Sequence, residues 1–294
     1  MMTRREWMVR AAMAAGAVTL GGVAKAASTE FSGLERRVAA IEKASGGRLG
    51  VAVLDTETGA RFGYRAEERF PMCSTFKALL AGAVLKRVDD GRERLDRVVR
   101  YMESDVLEWA PVTRQHVAKG VTVGALCEAA VTLSDNTAAN LLLKTIGGPA
   151  GLTAFARELG DPITRLDRTE PTLNEALPGD PRDTSSPMWM MRDLQKLALG
   201  NVLAPHSRER LVAWLLACKT GEGKLRAGLP AGWKIGDKTG SGDRGTENDL
   251  AIVWPAERRI PVPVAVYLTG ATVNHEHVLA AIAAVGKAVA VALA

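Results

Sequence analysis

The chain has 294 residues and a formal net charge of +5, of which Arg4, Arg5, Arg10 and Lys25 against Glu6 place +3 in the first 27 residues. What remains is nearly neutral and long enough for one large domain or two closely packed lobes. No basic cluster interleaved with aromatics occurs, which argues against nucleic-acid binding. Three cysteines, Cys73, Cys127 and Cys218, leave at least one thiol unpaired.

The N-terminus reads as an export signal. Arg4-Arg5 follow Thr3, the Ala/Gly-rich run Ala11 to Val23 comes next, and Ala24-Lys25-Ala26-Ala27 offers small residues for cleavage. The paired arginines match a twin-arginine leader, with general secretion as the alternative. The run is too short and too rich in Ala and Gly for a membrane span, so residues 1–27 are expected to be removed and the mature protein exported, without stable membrane association.

After the leader, Leu34, Val38 and Ile41 mark a short amphipathic helix ending at Gly46-Gly47. Arg48 to Asp55 reads as a buried strand, Thr56 to Gly59 as a turn and Ala60 to Arg65 as the returning strand of a hairpin. Helical patterns follow over 74–88, 122–133, 136–146, 151–159, 187–199 and 207–217. Strand patterns return at Trp233 to Thr239, Leu250 to Pro255 and Val262 to Thr269, before a final helix from about His275 with Val278, Ile282 and Val285 on one face. Strands at both ends with helices between predict an α+β plan. One antiparallel sheet is assembled from the two chain ends, about 28–70 and 217–294, and an all-helical lobe of about 71–216 is inserted between them. Ligand sites favour the cleft of such a pair.

The stretch Pro71-Met72-Cys73-Ser74-Thr75-Phe76-Lys77 stands at the opening of the helical insert. Three residues apart at a helix start, Ser74 and Lys77 share a face, so a desolvated lysine amine can take the proton of a serine nucleophile. Alone, Ser-x-x-Lys is a common surface pattern. Three further stretches share that ambiguity. Ser134-Asp135-Asn136 reads as a helix cap, Lys238-Thr239-Gly240-Ser241-Gly242 as a strand entering a turn, and Arg165 to Asn174 as a solvated charged loop closed by Arg182-Asp183-Thr184.

Together, in this order and spacing, the four stretches resemble the class A serine β-lactamases, whose Ser-x-x-Lys, Ser-Asp-Asn and Lys-Thr-Gly motifs are joined here by a Glu170-x-x-x-Asn174 loop. The resemblance runs from about residue 33 to the C-terminus. It implies a three-layer α/β/α fold of the β-lactamase/transpeptidase type, a small-molecule β-lactam substrate, a monomer, periplasmic location, and neither metal nor other cofactor. It implies that Ser74 forms an acyl-enzyme, with Lys77 and Ser134 moving protons and Glu170 activating the hydrolytic water held by Asn174. Asn136 would hold the substrate's side-chain amide, and Lys238, Thr239, Gly240 and Ser241 its carboxylate side. Trp109 falls where members of that family carry an aromatic at the cleft mouth, and would contact the substrate there.

Departures from the family pattern carry expectations of their own. The usual disulfide partner of Cys127 falls at Ala81, and that of Cys73 in disulfide-bearing carbapenemases falls at Gly242, so neither bridge is expected. Positions where relatives carry a carboxylate-binding arginine hold Glu247 and Glu276, which leaves Lys224 as the best basic candidate, with Arg244 nearby but displaced along the strand from the usual place. His275-x-His277 lacks a third ligand and reads as surface. The competing readings are a penicillin-binding D-Ala-D-Ala peptidase, which shares the three motifs but not the Glu170 loop, and a non-hydrolytic β-lactam sensor.

Overall fold

The structure is a computed structural model that describes residues 31–256, 258 and 260–293; the expected leader lies outside them. Helix α1 (Leu34–Ser45) leads into the hairpin of β1 (Arg48–Leu54) and β2 (Arg61–Tyr64). A two-residue strand β3 (Phe70–Pro71) and a 3-10 turn, Cys73–Thr75, precede α2 (Phe76–Asp89). The helical part continues through the ribbon β4 (Val98–Val99) and β5 (Val121–Thr122), then α3 (Val123–Thr132), α4 (Asn136–Thr145) and α5 (Gly148–Glu158). Strand β6 (Thr184–Ser185), α6 (Pro187–Ala198), α7 (Pro205–Leu216) and the single turn α8 (Leu225–Gly228) complete it. The chain ends with β7 (Lys234–Gly242), β8 (Thr246–Trp254), β9 (Val262–Thr269) and α9 (His275–Leu293).

The sheet order β2-β1-β9-β8-β7 is antiparallel throughout and draws its strands from both ends of the chain, as the sequence pattern predicts. Alternate residues face opposite layers. Val51, Val53, Val264, Val266 and Leu268 pack with Leu34 and Val38 of α1 and Val278, Ile282 and Val285 of α9. Ala52, Leu54, Leu250, Ile252, Ala265 and Tyr267 face the helical layer. Both faces are covered, which is why these strands read as continuous apolar runs rather than alternating ones. Helix α9 is long and apolar enough to cross a membrane, but its valine and isoleucine stripe belongs to this inner layer.

Several boundaries differ from expectation: α5 begins at Gly148 rather than at Gly151, and β7 runs on to Gly242 rather than ending at Thr239. Helix α2 begins at Phe76 rather than Ser74, because Cys73 is left-handed (φ 45°) and Thr75 makes an i→i−3 bond to Met72 O (3.2 Å), the 3-10 pattern. Strand β8 starts at Thr246 rather than Leu250. Its first four residues, Thr246 to Asp249, look like loop in sequence, yet all are buried among polar partners.

Helix α2 positions the site. Every residue from Phe76 to Leu85 is buried, and α2 touches α3, α4, α5, α6 and α7, the surroundings expected of a helix that is apolar all round. Lys77 is the one charged residue of this buried stretch.

Candidate active site

Ser74 sits on the 3-10 turn just before α2, and Lys77 one turn further on is 0 % exposed. Lys77 Nζ donates to Ser74 Oγ at 2.9 Å, as the spacing predicts. It also reaches Ser134 O at 2.9 Å, Ser134 Oγ at 3.3 Å and Asn136 Oδ1 at 2.6 Å. Glu170 Oε1 lies 2.9 Å from the same nitrogen and accepts the Ser74 hydroxyl at 3.1 Å. Burial pulls the Lys77 amine below the ordinary lysine range, against the opposing pull of Glu170.

Ser134 occupies a left-handed turn between α3 and α4 (φ 58°), a conformation costing about 1–2 kcal/mol for a non-glycine residue. Asp135 stabilises that turn. It caps α4 through Ala138 N (2.8 Å) and also accepts from Val112 N (3.0 Å) and Thr113 N (2.9 Å), fastening the Trp109 loop. Trp109 is 56 % exposed, with its indole N–H on Leu133 O and its backbone oxygen receiving Asn136 N, both at 3.0 Å.

The charged loop is closed at its base. Arg168 Nε meets Asp183 Oδ2 at 2.6 Å, and the same buried carboxylate accepts the backbone N–H groups of Asp167 (2.8 Å) and Arg168 (2.9 Å). The loop is therefore not a solvated run: Glu170 is 3 % exposed and points inward. Asn174 donates to Glu170 Oε2 at 2.6 Å. Asn140, which sequence reasoning missed, holds both sides of the Glu170 backbone, donating to its O at 2.9 Å and accepting from its N at 3.0 Å. It lies one turn beyond Asn136 on the same helix face, and that spacing was the available signal.

Strand β7 forms the opposite wall. Lys238 Nζ donates to Ser134 Oγ at 3.2 Å, and burial pulls it down to about 7, the nearby Lys77 charge adding to the effect. Thr239 Oγ1 pairs with Thr220 Oγ1 at 2.5 Å, a partner with no signal in the sequence. Gly240 lets the strand approach the nucleophile turn, since a Cβ there would stand 2.8 Å from Met72 O. Gly242 faces Cys73, whose sulfur would be 2.6 Å from an added Cβ. All three cysteines are free and buried, and burial pushes the Cys73 and Cys127 thiols up, so they are inert.

Ser74, Trp109, Ser134, Asn136, Asn174, Thr220, Thr239 and Ser241 line one cavity of about 250 Å³. Lys77, Glu170 and Lys238 lie behind that lining, bonded to it. Gly240 acts through its backbone position. Lys224 is close by but buried, as described below, and Arg244 lines a different cavity behind the loop, which holds none of the expected catalytic residues. His275 and His277 are exposed, and among the described residues no cluster of three or more His, Cys, Asp or Glu suits a metal.

A buried serine–lysine–glutamate cluster of this kind stands alongside a family-level match: the model of the β-lactamase enzyme family covers residues 33–293. The chain belongs to the class A β-lactamases. It is 45 % identical to β-lactamase OXY-1 of Klebsiella oxytoca over 91 % of this chain and 92 % of that one. It is 50 % identical to β-lactamase CTX-M-8 of Citrobacter amalonaticus over 80 % and 81 %. The solved structure of the last common ancestor of Gram-negative bacterial class A β-lactamases superposes with TM-score 0.87 at 60 % identity, covering 89 % of this chain and 99 % of that one. A β-lactamase hydrolyses a cyclic amide, so the cleft has to supply a nucleophile, a proton for the leaving nitrogen and an activated water.

Proposed function

We propose that this class A β-lactamase opens the β-lactam amide of penicillins and cephalosporins through an acyl-enzyme on Ser74, and so confers resistance to them. The observation that carries the reading is the Ser74 hydroxyl held between Lys77 Nζ and Glu170 Oε1 at 2.9 and 3.1 Å. Ser74 Oγ attacks the lactam carbonyl carbon while its proton leaves to the Glu170 carboxylate, or to the Lys77 amine when that is neutral. The backbone N–H groups of Ser74 and Ser241 receive the developing oxyanion, each such donor being worth about 10²–10³ in rate.

The C–N bond then breaks and the nitrogen takes a proton from Ser134, which is replaced through Lys77 by the proton that left Ser74, so that Ser134 is again a hydroxyl and Glu170 again a carboxylate. Lys77 and Lys238 both donate to Ser134 Oγ, so its own O–H is left to face the cleft. In the second half, Glu170 takes a proton from a water positioned with Asn174, the hydroxide attacks the ester carbonyl, and Ser74 departs with a proton. Asn136 receives the substrate's side-chain amide, and Lys238 and Thr239 its carboxylate. The same reading has the leader cut off near residue 27, leaving one catalytic domain that acts as a periplasmic monomer.

The test is benzylpenicillin turnover by the mature protein and by Glu170→Ala, following hydrolysis and intact mass together. Rapid multiple turnover in the wild type and a stable adduct on Ser74 in the variant are expected. A lasting adduct with little turnover in the wild type would instead make the chain a penicillin-binding peptidase or sensor.

A further inference from the structure

Behind Ser241 lies an ion pair that the mechanism does not use. Lys224 and Glu247 are 3 % and 4 % exposed and meet at 2.6 Å. An ammonium has three protons, and three short acceptors account for them: Glu247 Oε2, Gly240 O at 2.9 Å and Asn248 O at 3.0 Å. Ser241 Oγ is a fourth, longer contact at 3.5 Å. Ser241 has a single hydroxyl proton, and it goes to Glu247 Oε2 at 2.7 Å. The exposed His275 stands 3.4 Å from the other oxygen, Glu247 Oε1. Ser241 therefore turns lone pairs toward the cleft, the reverse of Ser134, and the cation behind it is neutralised and has no free proton.

We infer that Glu247 is a specificity-determining residue, which withholds the Ser241 proton and the Lys224 charge from the anionic group of the substrate. A ring carboxylate is then left to Lys238 and Thr239, and β-lactams that depend on that carboxylate for binding are held weakly. The inference rests on the proposed β-lactam chemistry of this cleft. Removing the negative charge leaves the Lys224 cation uncompensated close to the carboxylate, and removing the acceptor as well frees the Ser241 hydroxyl; hydrogen bonds involving a charged partner are the stronger kind.

The comparison is Glu247→Gln against wild type on benzylpenicillin and on its methyl ester, which lacks the anion. KM for benzylpenicillin should fall about ten-fold with kcat changed by less than about two-fold, while the ester's constants stay put; a purely structural role would move both substrates alike. Glu247→Asp should keep the wild-type pattern. Because Glu247→Gln strands a buried ammonium and keeps an amide oxygen that can still accept from Ser241, Lys224→Met/Glu247→Leu removes both charges and that acceptor together and should still lower KM for benzylpenicillin by freeing the Ser241 hydroxyl. Titrating benzylpenicillin into Ser74→Ala with and without Glu247→Gln makes the same comparison without turnover, so it decides the point even if the hydrolase reading fails. Unchanged or weaker binding in the folded variants, or an equal gain for the ester, would overturn the inference.

Discussion

Asn140 grips Glu170 by the backbone, its side-chain amide bonded to the glutamate's O at 2.9 Å and N at 3.0 Å. The carboxylate proposed to activate water is thus fixed from helix α4, while Asn174 fixes its other end at 2.6 Å. Asn140→Ala leaves two buried backbone groups unsatisfied, a loss of about 1–3 kcal/mol each at most. In the proposed mechanism acylation depends less on Glu170 than deacylation does, because Lys77 also contacts Ser74. The expected result is a drop in kcat of about 10–100-fold, with acyl-enzyme accumulating in intact mass spectra and a lower melting temperature.

Arg168 and Asp183 close the same loop at 2.6 Å, with Glu175 on the far side of the guanidinium at 2.5 Å. Asp183 is buried, and Arg168→Ala would leave its charge with only backbone donors. Breaking such a pair costs up to about 3–5 kcal/mol where both partners are buried, and less here because Arg168 is partly exposed. The loop should loosen and deacylation slow, seen as a burst followed by a reduced steady rate. Unchanged steady-state hydrolysis with no acyl-enzyme would refute this.

Local rules carried the sequence reading wherever the partners are close in the chain. Ser74 and Lys77 meet because i and i+3 share a helix face, and the sheet's inner strands β1, β8 and β9 announce themselves by runs of Val, Ile and Leu. Asp135 reads as a helix cap and is one, but its bonds to Val112 and Thr113 come from a loop over twenty residues away, beyond any local rule. Taken by itself the charge-rich loop reads as solvated, since nothing local shows Glu170 and Asp183 turning inward; the family resemblance, not the local pattern, places Glu170 in the cleft and pairs Arg168 with Asp183. The polar start of β8 escaped because burial there is satisfied by Lys224, Met72 O and Leu225 N rather than by apolar contact. Lys224 illustrates the same limit: its basic character was legible, and its neutralisation by Glu247 was not.

Gly240 sets the distance between the two walls of the cleft. A Cβ at this position would stand 2.8 Å from Met72 O and 3.2 Å from the Cys73 Cβ. Both obstacles belong to the nucleophile turn, so Gly240→Ala has to push β7 away from Ser74. Overpacking of this kind costs about 1–3 kcal/mol, which lowers the melting temperature by about 2–4 °C per kcal/mol in a domain of this size. Because the Ser241 N–H moves with the strand, kcat/KM for benzylpenicillin should fall by more than the stability loss explains, measured at a temperature where the variant is fully folded.

Asp161 and Asp193 form a buried carboxyl pair away from the cleft, 0 % and 1 % exposed. Both oxygens of Asp193 and Oδ2 of Asp161 lack any hydrogen-bond donor, while Asp161 Oδ1 accepts Ile163 N and Thr164 N. A proton on Asp193 shared with Asp161 supplies the missing donor. Burial, with the neighbouring Asp161 charge, pushes Asp193 up to about 9. The unfolded carboxyl titrates near 3.9, so the folded state holds one proton more across the interval between. Its stability is then fully present below about pH 4 and declines as pH rises toward 9, by up to about 1.4 kcal/mol per pH unit. Asp193→Asn keeps a donor for Asp161 and removes the titration. Its melting temperature should draw progressively above that of the wild type between pH 5 and pH 8.5. Parallel curves across that range would mean that Asp193 does not carry the proton.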